Sequence, residues 1–92
     1  MKKIAIILMD TGRHSEGLRM AAGLSLLDDK VDIYLLDKDF NVEDLSVIEN
    51  YVSIIRTIGI GLYSNFRKDE FGFMHTVDIG RKFAEYDYII PY

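Results

Sequence analysis

The chain has 92 residues, of which 49% are hydrophobic and 28% are charged, with a formal net charge of −4 and no cysteine. This composition predicts one compact domain, residues 1–92, and excludes a disordered acidic tail. The lack of cysteine excludes disulfides, thiolate metal sites and thiol nucleophiles. The eleven Lys and Arg residues are spread along the chain, so we expect no nucleic-acid partner.

The N-terminus begins with lysines, and a short apolar run from Ile4 to Met9 follows. A signal peptide needs a longer apolar stretch and a small-residue cleavage site. No run approaches the roughly 20 apolar residues of a membrane-spanning helix. We therefore expect a cytoplasmic protein that does not bind membranes.

The first third of the chain alternates strand and helix patterns. Residues 3–9 form an apolar, isoleucine-rich run, which is typical of a strand buried on both faces of a parallel sheet. Ser15 is a natural N-cap for a first helix that extends to about Leu27. Residues 31–36 predict the second strand.

Two glycines, Gly17 and Gly23, interrupt the first helix. Glycine costs about 1 kcal/mol relative to alanine inside a helix. Their presence indicates that the helix is closely approached by the sheet or by a neighbouring chain.

A second helix is predicted from an N-cap at Asn41 to about Val52. β-branched and apolar residues then predict a third strand over 54–63, which Gly59 and Gly61 interrupt. The two glycines indicate that another group approaches this strand closely.

The last third begins with residues 64–76, which have no steady period and predict a long loop. Apolar positions over 77–85 predict a third helix, and residues 87–90 predict a last strand that Pro91 ends.

This order of elements predicts parallel strands joined by right-handed crossovers, with helices on both faces of the sheet. We therefore expect a three-layer, doubly wound α/β sandwich of the flavodoxin-like type, with four parallel strands in the order 2-1-3-4. The residues expected in its core are Ile4, Ile6, Leu8, Leu18, Ala22, Leu26, Ile33, Leu35, Leu45, Ile48, Ile58, Ile60, Ile79, Phe83 and Ile89.

With that strand order, ligands bind in the crevice at the carboxyl ends of strands one and three. Either the polar residues there form a ligand-binding cluster or they are the polar edge that every such sandwich presents. If the site is catalytic, we expect Arg13 to hold an anion and His14 or Asp10 to transfer a proton, with Ser64 nearby. The candidate residues are Asp10, Thr11, Gly12, Arg13, His14, Gly61, Ser64 and Asn65, with Tyr63 between them.

Other motifs carry weaker signals. The segment 10–13 lacks the spaced glycines and the Gly-Lys-Ser/Thr ending of phosphate-binding loops, although the helix start that follows it favours anions. His14 and His75 are far apart in sequence and have no nearby ligand pair, so we expect no metal and no cofactor. The aspartates of Asp37-Lys38-Asp39 are spaced as in haloacid-dehalogenase-type phosphotransferases, but Asn41 stands where that motif needs a hydroxyl, which favours solvated loop charges.

Four segments resemble the DsrE-like (TusBCD-type) sulfur-relay family. They are the first strand, residues 3–9, the Gly-Leu-Arg-x-Ala-x-Gly-Leu pattern of Gly17 to Leu24, the following run VDIYLLD, and the segment VDIGRKFAEYDYII from Val77 to Ile90. The resemblance implies a DsrE-like α/β domain. It also implies that a catalytic cysteine, which carries a persulfide in active members, would lie in the region of Gly61 to Ser64.

A serine such as Ser64 cannot carry sulfane sulfur, because a persulfide needs a sulfur that attacks and leaves again. The chain by itself is therefore not expected to be a persulfide sulfurtransferase. Three hypotheses remain open: a non-catalytic accessory or interaction subunit that works with other sulfur-relay-type subunits, a small-ligand or anion-binding domain, and an uncharacterised small enzyme.

Self-association is expected because a domain of this size has a small core and no disulfides, and because members of the resembled family assemble into dimers or larger rings. A homodimer or higher homo-oligomer is the prediction. The alternative for the aromatic loop after strand three is that some of its apolar residues cover the local core. The candidate interface residues in that loop are Phe66, Phe71, Phe73 and Met74.

Overall fold

A computed structural model of the chain describes residues 2–9, 14–26, 29–41, 43 and 45–92. A five-stranded parallel sheet with helices packed against it confirms the predicted α/β sandwich class. The strands are β1 (Lys3–Leu8), β2 (Lys30–Leu35), β3 (Gly61–Ser64), β4 (Gly72–Phe73) and β5 (Tyr88–Pro91). The helices are α1 (His14–Ser25), α2 (Leu45–Ile58) and α3 (Thr76–Lys82), and α3 continues into a short 3-10 helix, Phe83–Glu85.

The strand order is β4-β3-β2-β1-β5, so the predicted four-stranded order 2-1-3-4 is wrong. Helices α1 and α2 are neighbours in one layer, and two right-handed crossovers in the same layer carry the chain in the same direction across the sheet. Strand β3 therefore pairs with β2. The chain reverses only after β4, when α3 returns it to place β5 beside β1.

The boundary between α2 and β3 differs from the prediction. Helix α2 starts at Leu45, four residues after the predicted cap, and continues to Ile58, whereas a strand was expected over 54–63. The helix ends at Gly59, which has φ 95° and donates its amide to the carbonyls of Ile55 at 3.2 Å and Arg56 at 3.1 Å. The glycine is thus a helix cap rather than an interruption within a strand.

Two smaller differences concern α1 and the predicted loop. Helix α1 begins at His14, so Ser15 is inside it and is not its cap. The predicted loop 64–76 contains the two-residue strand β4, which pairs with β3 at the edge of the sheet. Leu27, the predicted end of the first helix, lies outside the described residues.

The main core lies between the sheet and the layer of α1 and α2. Alternate residues of β1 and β2, Ile4, Ile6 and Leu8 with Val31, Ile33 and Leu35, point into it. From the helices, Leu18, Ile48 and Ile55 complete the contact. Most of the predicted core is confirmed: the buried members are Ile4, Ile6, Leu8, Leu18, Ile33, Leu35, Ile48, Ile60 and Ile79, while Ala22, Leu45 and Phe83 are half-buried.

Three predicted core residues are exposed instead: Leu26 at 81%, Ile58 at 44% and Ile89 at 42%. Leu26 follows the end of α1, and Ile89 belongs to a strand at the edge of the sheet. Ile58 is on a side of α2 that does not face the sheet. Periodicity identified these positions as apolar but did not determine which side of each element is covered.

A second, smaller core lies on the opposite face of the sheet. Ala5 and Tyr34 of the sheet pack with Ile79 of α3. The half-buried residues around them are Leu36, Tyr63, Met74, Phe83 and Tyr86. In the part of the chain that the structure describes, no helix is long and apolar enough to cross a membrane.

Candidate functional site

Asn65 joins the carboxyl ends of β2 and β3 to the start of α3. Its Nδ2 donates to Asp37 Oδ1 at 2.8 Å and to Thr76 Oγ1 at 3.1 Å, and its Oδ1 accepts the amide of Asp37 at 2.8 Å. These bonds hold Asp37 at φ 69°, a left-handed conformation that aspartate tolerates better than most residues. Three hydrogen bonds to the chain itself make Asn65 a positioning residue for this edge.

Ser64 and Gly61 face the interior. Ser64 is fully buried, and its Oγ donates a hydrogen bond to the carbonyl of Phe66. At Gly61, an added Cβ would collide with the carboxylate of Asp32 and lie 2.9 Å from the ring of Tyr63. The predicted close approach to Gly61 is therefore the packing of the neighbouring strand's carboxylate.

His14 is the first residue of α1 and is buried, with 1% of its surface exposed. Its ring meets Phe40 edge-on, with centroids 5.2 Å apart. Phe40 in turn contacts Phe71, at 5.9 Å between centroids. His14 thus adjoins the segment that follows β2, which Asn65 also contacts through Asp37.

The predicted crevice between strands one and three does not exist as such, because β2 lies between β1 and β3. The reversal of winding is instead at β1 and β5. There the amide of Met9 donates to the carbonyl of Tyr92 at 2.7 Å, and the amide of Tyr92 donates to the carbonyl of Ile7 at 2.7 Å. The candidates Asp10, Thr11, Gly12 and Arg13 lie outside the described residues.

A cavity of about 880 Å³ forms an open groove between α2 and the segment that connects β3 to β4. Its apolar floor is made by Phe40, Ile48, Val52 and Phe71, with Leu45 at one end. The rim is polar and consists of Asp39, Glu49, Ser53, Arg56, Thr57, Lys68, Asp69 and Glu70.

Two ion pairs lie on the rim of this groove. Lys68 Nζ lies 2.6 Å from Asp39 Oδ1 and 5.0 Å from the centroid of Phe40. Arg56 of α2 lies 3.2 Å from Glu70 Oε1. Among the described residues, the other rim carboxylates, Glu49 and Asp69, make no ion pair, so the rim is negatively charged overall.

Partial burial and the neighbouring Lys68 act in opposite directions on the pKa of the Asp39 carboxyl. Partial burial raises the pKa of the Asp39 carboxyl, but the hydrogen bond to Lys68 and the amide of Phe40 more than offset this effect. The charges of Lys68 and His14 act in the same direction, so the pKa lies below its ordinary value. Asp39 is therefore a stable anion at the mouth of the groove.

A buried series of hydrogen bonds among three polar side chains lies on the other face of the sheet. Tyr86 donates its hydroxyl to Asp32 Oδ2 at 2.6 Å, and the hydroxyls of Tyr34 and Tyr86 are 2.8 Å apart. Burial and the hydrogen bond to Asp32 raise the pKa of Tyr86, and burial raises the pKa of Tyr34. Sequence patterns missed this group, because Asp32 stands inside an otherwise apolar strand.

The predicted interface residues lie in different environments. Phe71 is buried against Phe40, Phe66 is half-buried against the main core, and Met74 is half-buried against the second core. Phe73 is 45% exposed and packs edge-on against His75, with ring centroids 4.9 Å apart. Among the four, Phe73 presents the most apolar surface to a partner.

The described residues contain no group of three or more His, Cys, Asp or Glu side chains that could hold a metal ion. Asp37 and Asp39 bind different partners, Asn65 and Lys68, and do not converge on one point.

Comparisons of the chain with protein-family models, curated proteins and solved structures find no match. The function is therefore argued from the chain's own residues.

Proposed function

We propose that this chain is a non-catalytic accessory subunit, related to the DsrE-like sulfur-relay proteins, that works by binding a segment of another protein. The relation is supported by the patterns at Gly17 to Leu24, at 31–37 and at Val77 to Ile90. A non-catalytic role is supported by the absence of cysteine and by the burial of Ser64, whose hydroxyl is bonded to the chain's own backbone.

The groove beside α2 is the observation that carries the proposal. Its lining residues recur along α2 from Leu45 to Thr57, a length of about 18 Å at the rise of an α-helix. A long, open groove suits a stretch of peptide better than a compact small molecule. The apolar floor would receive the apolar face of that segment.

The charges on the rim select the chemistry of the segment. Asp39 and Glu70 are neutralised by Lys68 and Arg56, whereas Glu49 and Asp69 are not paired within the described part of the chain. A segment with an apolar face flanked by Lys or Arg complements this arrangement, and like charges would be rejected. The proposed partner segment is therefore amphipathic and basic.

The test uses a matched pair of substitutions on α2. Ser53 lines the groove and Ser46 does not, although both are exposed serines of the same helix. Ser53→Trp fills the groove and should weaken binding to a cysteine-bearing DsrE-like subunit from the same source by at least about tenfold, roughly 1.4 kcal/mol. Ser46→Trp should leave the affinity unchanged, as measured by calorimetry on purified proteins.

Two outcomes would contradict the proposal. Absence of binding to any such subunit would remove the accessory role, and equal binding by both tryptophan variants would place the contact outside the groove.

After incubation with a persulfide donor, mass spectrometry should find added sulfur on the cysteine-bearing partner and none on this chain.

The alternative function is binding of a small anion where the winding of the chain reverses. It is favoured by the adjacency of the ends of β1 and β5, joined through Met9 and Tyr92, because the residues that follow β1 include Arg13. Inorganic phosphate or sulfate should then raise the melting temperature of the wild type and not that of Arg13→Ala. No shift at millimolar anion would exclude this function.

A further inference from the structure

Helix α2 carries a second apolar stripe, of which only Tyr51 packs against the main core. Val47, Ile54 and Ile58 are 50%, 52% and 44% exposed, and Tyr51 is half-buried between them. Their spacing of four, three and four residues puts them on one line along the helix. The groove residues of α2, such as Glu49 and Arg56, are on its opposite side, so the stripe is on the side of α1.

Helix α1 extends this apolar surface. Met20 and Leu24 are half-buried beside the main core. Gly23 between them is exposed, and a Cβ at this position would meet nothing within 4 Å. By contrast, a Cβ at Gly17 would collide with Leu8 of the sheet. Packing within the chain therefore requires Gly17 but not Gly23, which leaves a flat spot where another backbone could approach.

We infer that this α1–α2 face, comprising Met20, Leu24, Val47, Tyr51, Ile54 and Ile58 around Gly23, binds the same face of a second copy of the chain. The spacing of the stripe residues, four, three and four, is the same in both directions along the helix. Two α2 helices packed antiparallel across a two-fold axis bring Val47 opposite Ile58 of the second copy and Tyr51 opposite its Ile54. Each apolar side chain then meets another.

The distribution of charge selects a second copy as the occupant. Leu45–Ile58 contains two charged residues, Glu49 and Arg56, and both are on the groove side. The flank between groove and stripe carries neutral polar residues such as Ser46 and Asn50. In a two-fold interface any charge near the axis lies close to the same charge of the second copy, so the uncharged α2 stripe, which would lie at the axis, favours pairing with itself. The exposed charged residues of α1, Glu16 and Arg19, belong to the other helix of the face and would lie farther from the axis.

This inference goes beyond the proposed function and does not depend on it. Because the groove and the stripe are on opposite sides of α2, a dimer formed through the stripe leaves the groove open. Four helices, two from each copy, would form the interface, and each α2 contributes a contact about 17 Å long, from Val47 to Ile58.

The first test compares charge substitutions at equally accessible apolar positions. The wild type should be a dimer by light scattering and sedimentation at micromolar concentration. Ile54→Lys should weaken the dimer at least tenfold, and Val77→Lys, at a position 66% exposed on α3, should not. Circular dichroism of both variants should match that of the wild type, because both side chains are already exposed.

The second test uses the absence of natural cysteine. In the double variant Val47→Cys, Ile58→Cys, antiparallel pairing places the thiol at position 47 of one copy opposite the thiol at position 58 of the other. Mild oxidation should therefore give a covalent dimer. The two single variants should cross-link far less. A wild type that stays monomeric at high micromolar concentration would overturn the inference. So would a dimer that resists Ile54→Lys or that fails to cross-link through the double variant.

Discussion

The direction of the hydrogen bonds that join Tyr34, Tyr86 and Asp32 follows from the number of hydroxyl protons available. Tyr86 has one hydroxyl proton and gives it to Asp32, so Tyr34 must be the donor in its bond to Tyr86. Tyr86→Phe leaves a buried carboxylate without its donor and should lower the free energy of unfolding by about 1–3 kcal/mol. Tyr34→Phe keeps that donor and should cost less. Urea unfolding would measure both, and equal losses would contradict this direction.

The same tyrosines predict how stability changes at alkaline pH. The pKa of Tyr86 in the folded protein is above its ordinary value of 10.0, and that of Tyr34 is also raised. Above about pH 10 the unfolded chain loses these protons before the folded protein does, so stability falls as the pH rises further.

Urea unfolding at several pH values would follow this loss. In Tyr86→Phe the decline above pH 10 should be shallower, because one of the two groups is gone. Tyr88→Phe is the control, since Tyr88 is exposed, and its decline should match that of the wild type. If stability fell as steeply above pH 10 in Tyr86→Phe as in the wild type, the raised pKa of Tyr86 would not be the cause of the decline.

Gly61 is required by the carboxylate on the neighbouring strand. Its missing side chain leaves room for Asp32, which a Cβ would displace. Gly61→Ala should destabilise the protein by about 1–3 kcal/mol. In an Asp32→Ala background the further cost of Gly61→Ala should be smaller, because part of the clash is gone. Additive losses in a double-mutant cycle would show that the two positions are not coupled.

At the level of elements, the end of α2 depends on one backbone conformation. Gly59 adopts φ 95°, where a Cβ is strained, so Gly59→Ala should cost about 1 kcal/mol. Nothing lies within 4 Å of a Cβ there, so the cost should come from the backbone alone. Gly59→Asn should be less harmful, because asparagine tolerates the left-handed region. A higher melting temperature for Gly59→Ala than for Gly59→Asn would be inconsistent with a helix cap at this position.

At the level of the whole molecule, the aromatic loop after β3 and the α1–α2 face are two alternative surfaces for self-association. Phe71 is buried and Phe73 is exposed, so Phe71→Asp should unfold the protein, at a cost of about 3 kcal/mol or more. Phe73→Asp should preserve the fold. If the predicted loop interface forms, light scattering of Phe73→Asp should show dissociation; if only the α1–α2 face is used, the dimer should persist.

The sequence by itself determined most of the element types, the parallel sheet, and most of the apolar residues that fill the core. These follow from local patterns: buried strands are continuously apolar, helices repeat every three to four residues, and crossovers are right-handed. The lack of cysteine likewise excludes persulfide chemistry on this chain, because no arrangement of its residues supplies a sulfur that can attack and leave again.

Only the tertiary structure decided the strand order, the end of α2 and the composition of the site. Whether β3 joins β2 or β1 depends on which layer α2 joins, a choice between non-local contacts that no local pattern encodes. Residues 54–58 have strand-forming side chains, yet the burial of Ile55 with Ile48 and Val52 keeps them helical. For the same reason β2 lies between the two strands that were expected to form the crevice, whereas Asp32 contacts Tyr86 and Lys68 contacts Asp39. These pairs lie far apart along the chain and are brought together by packing.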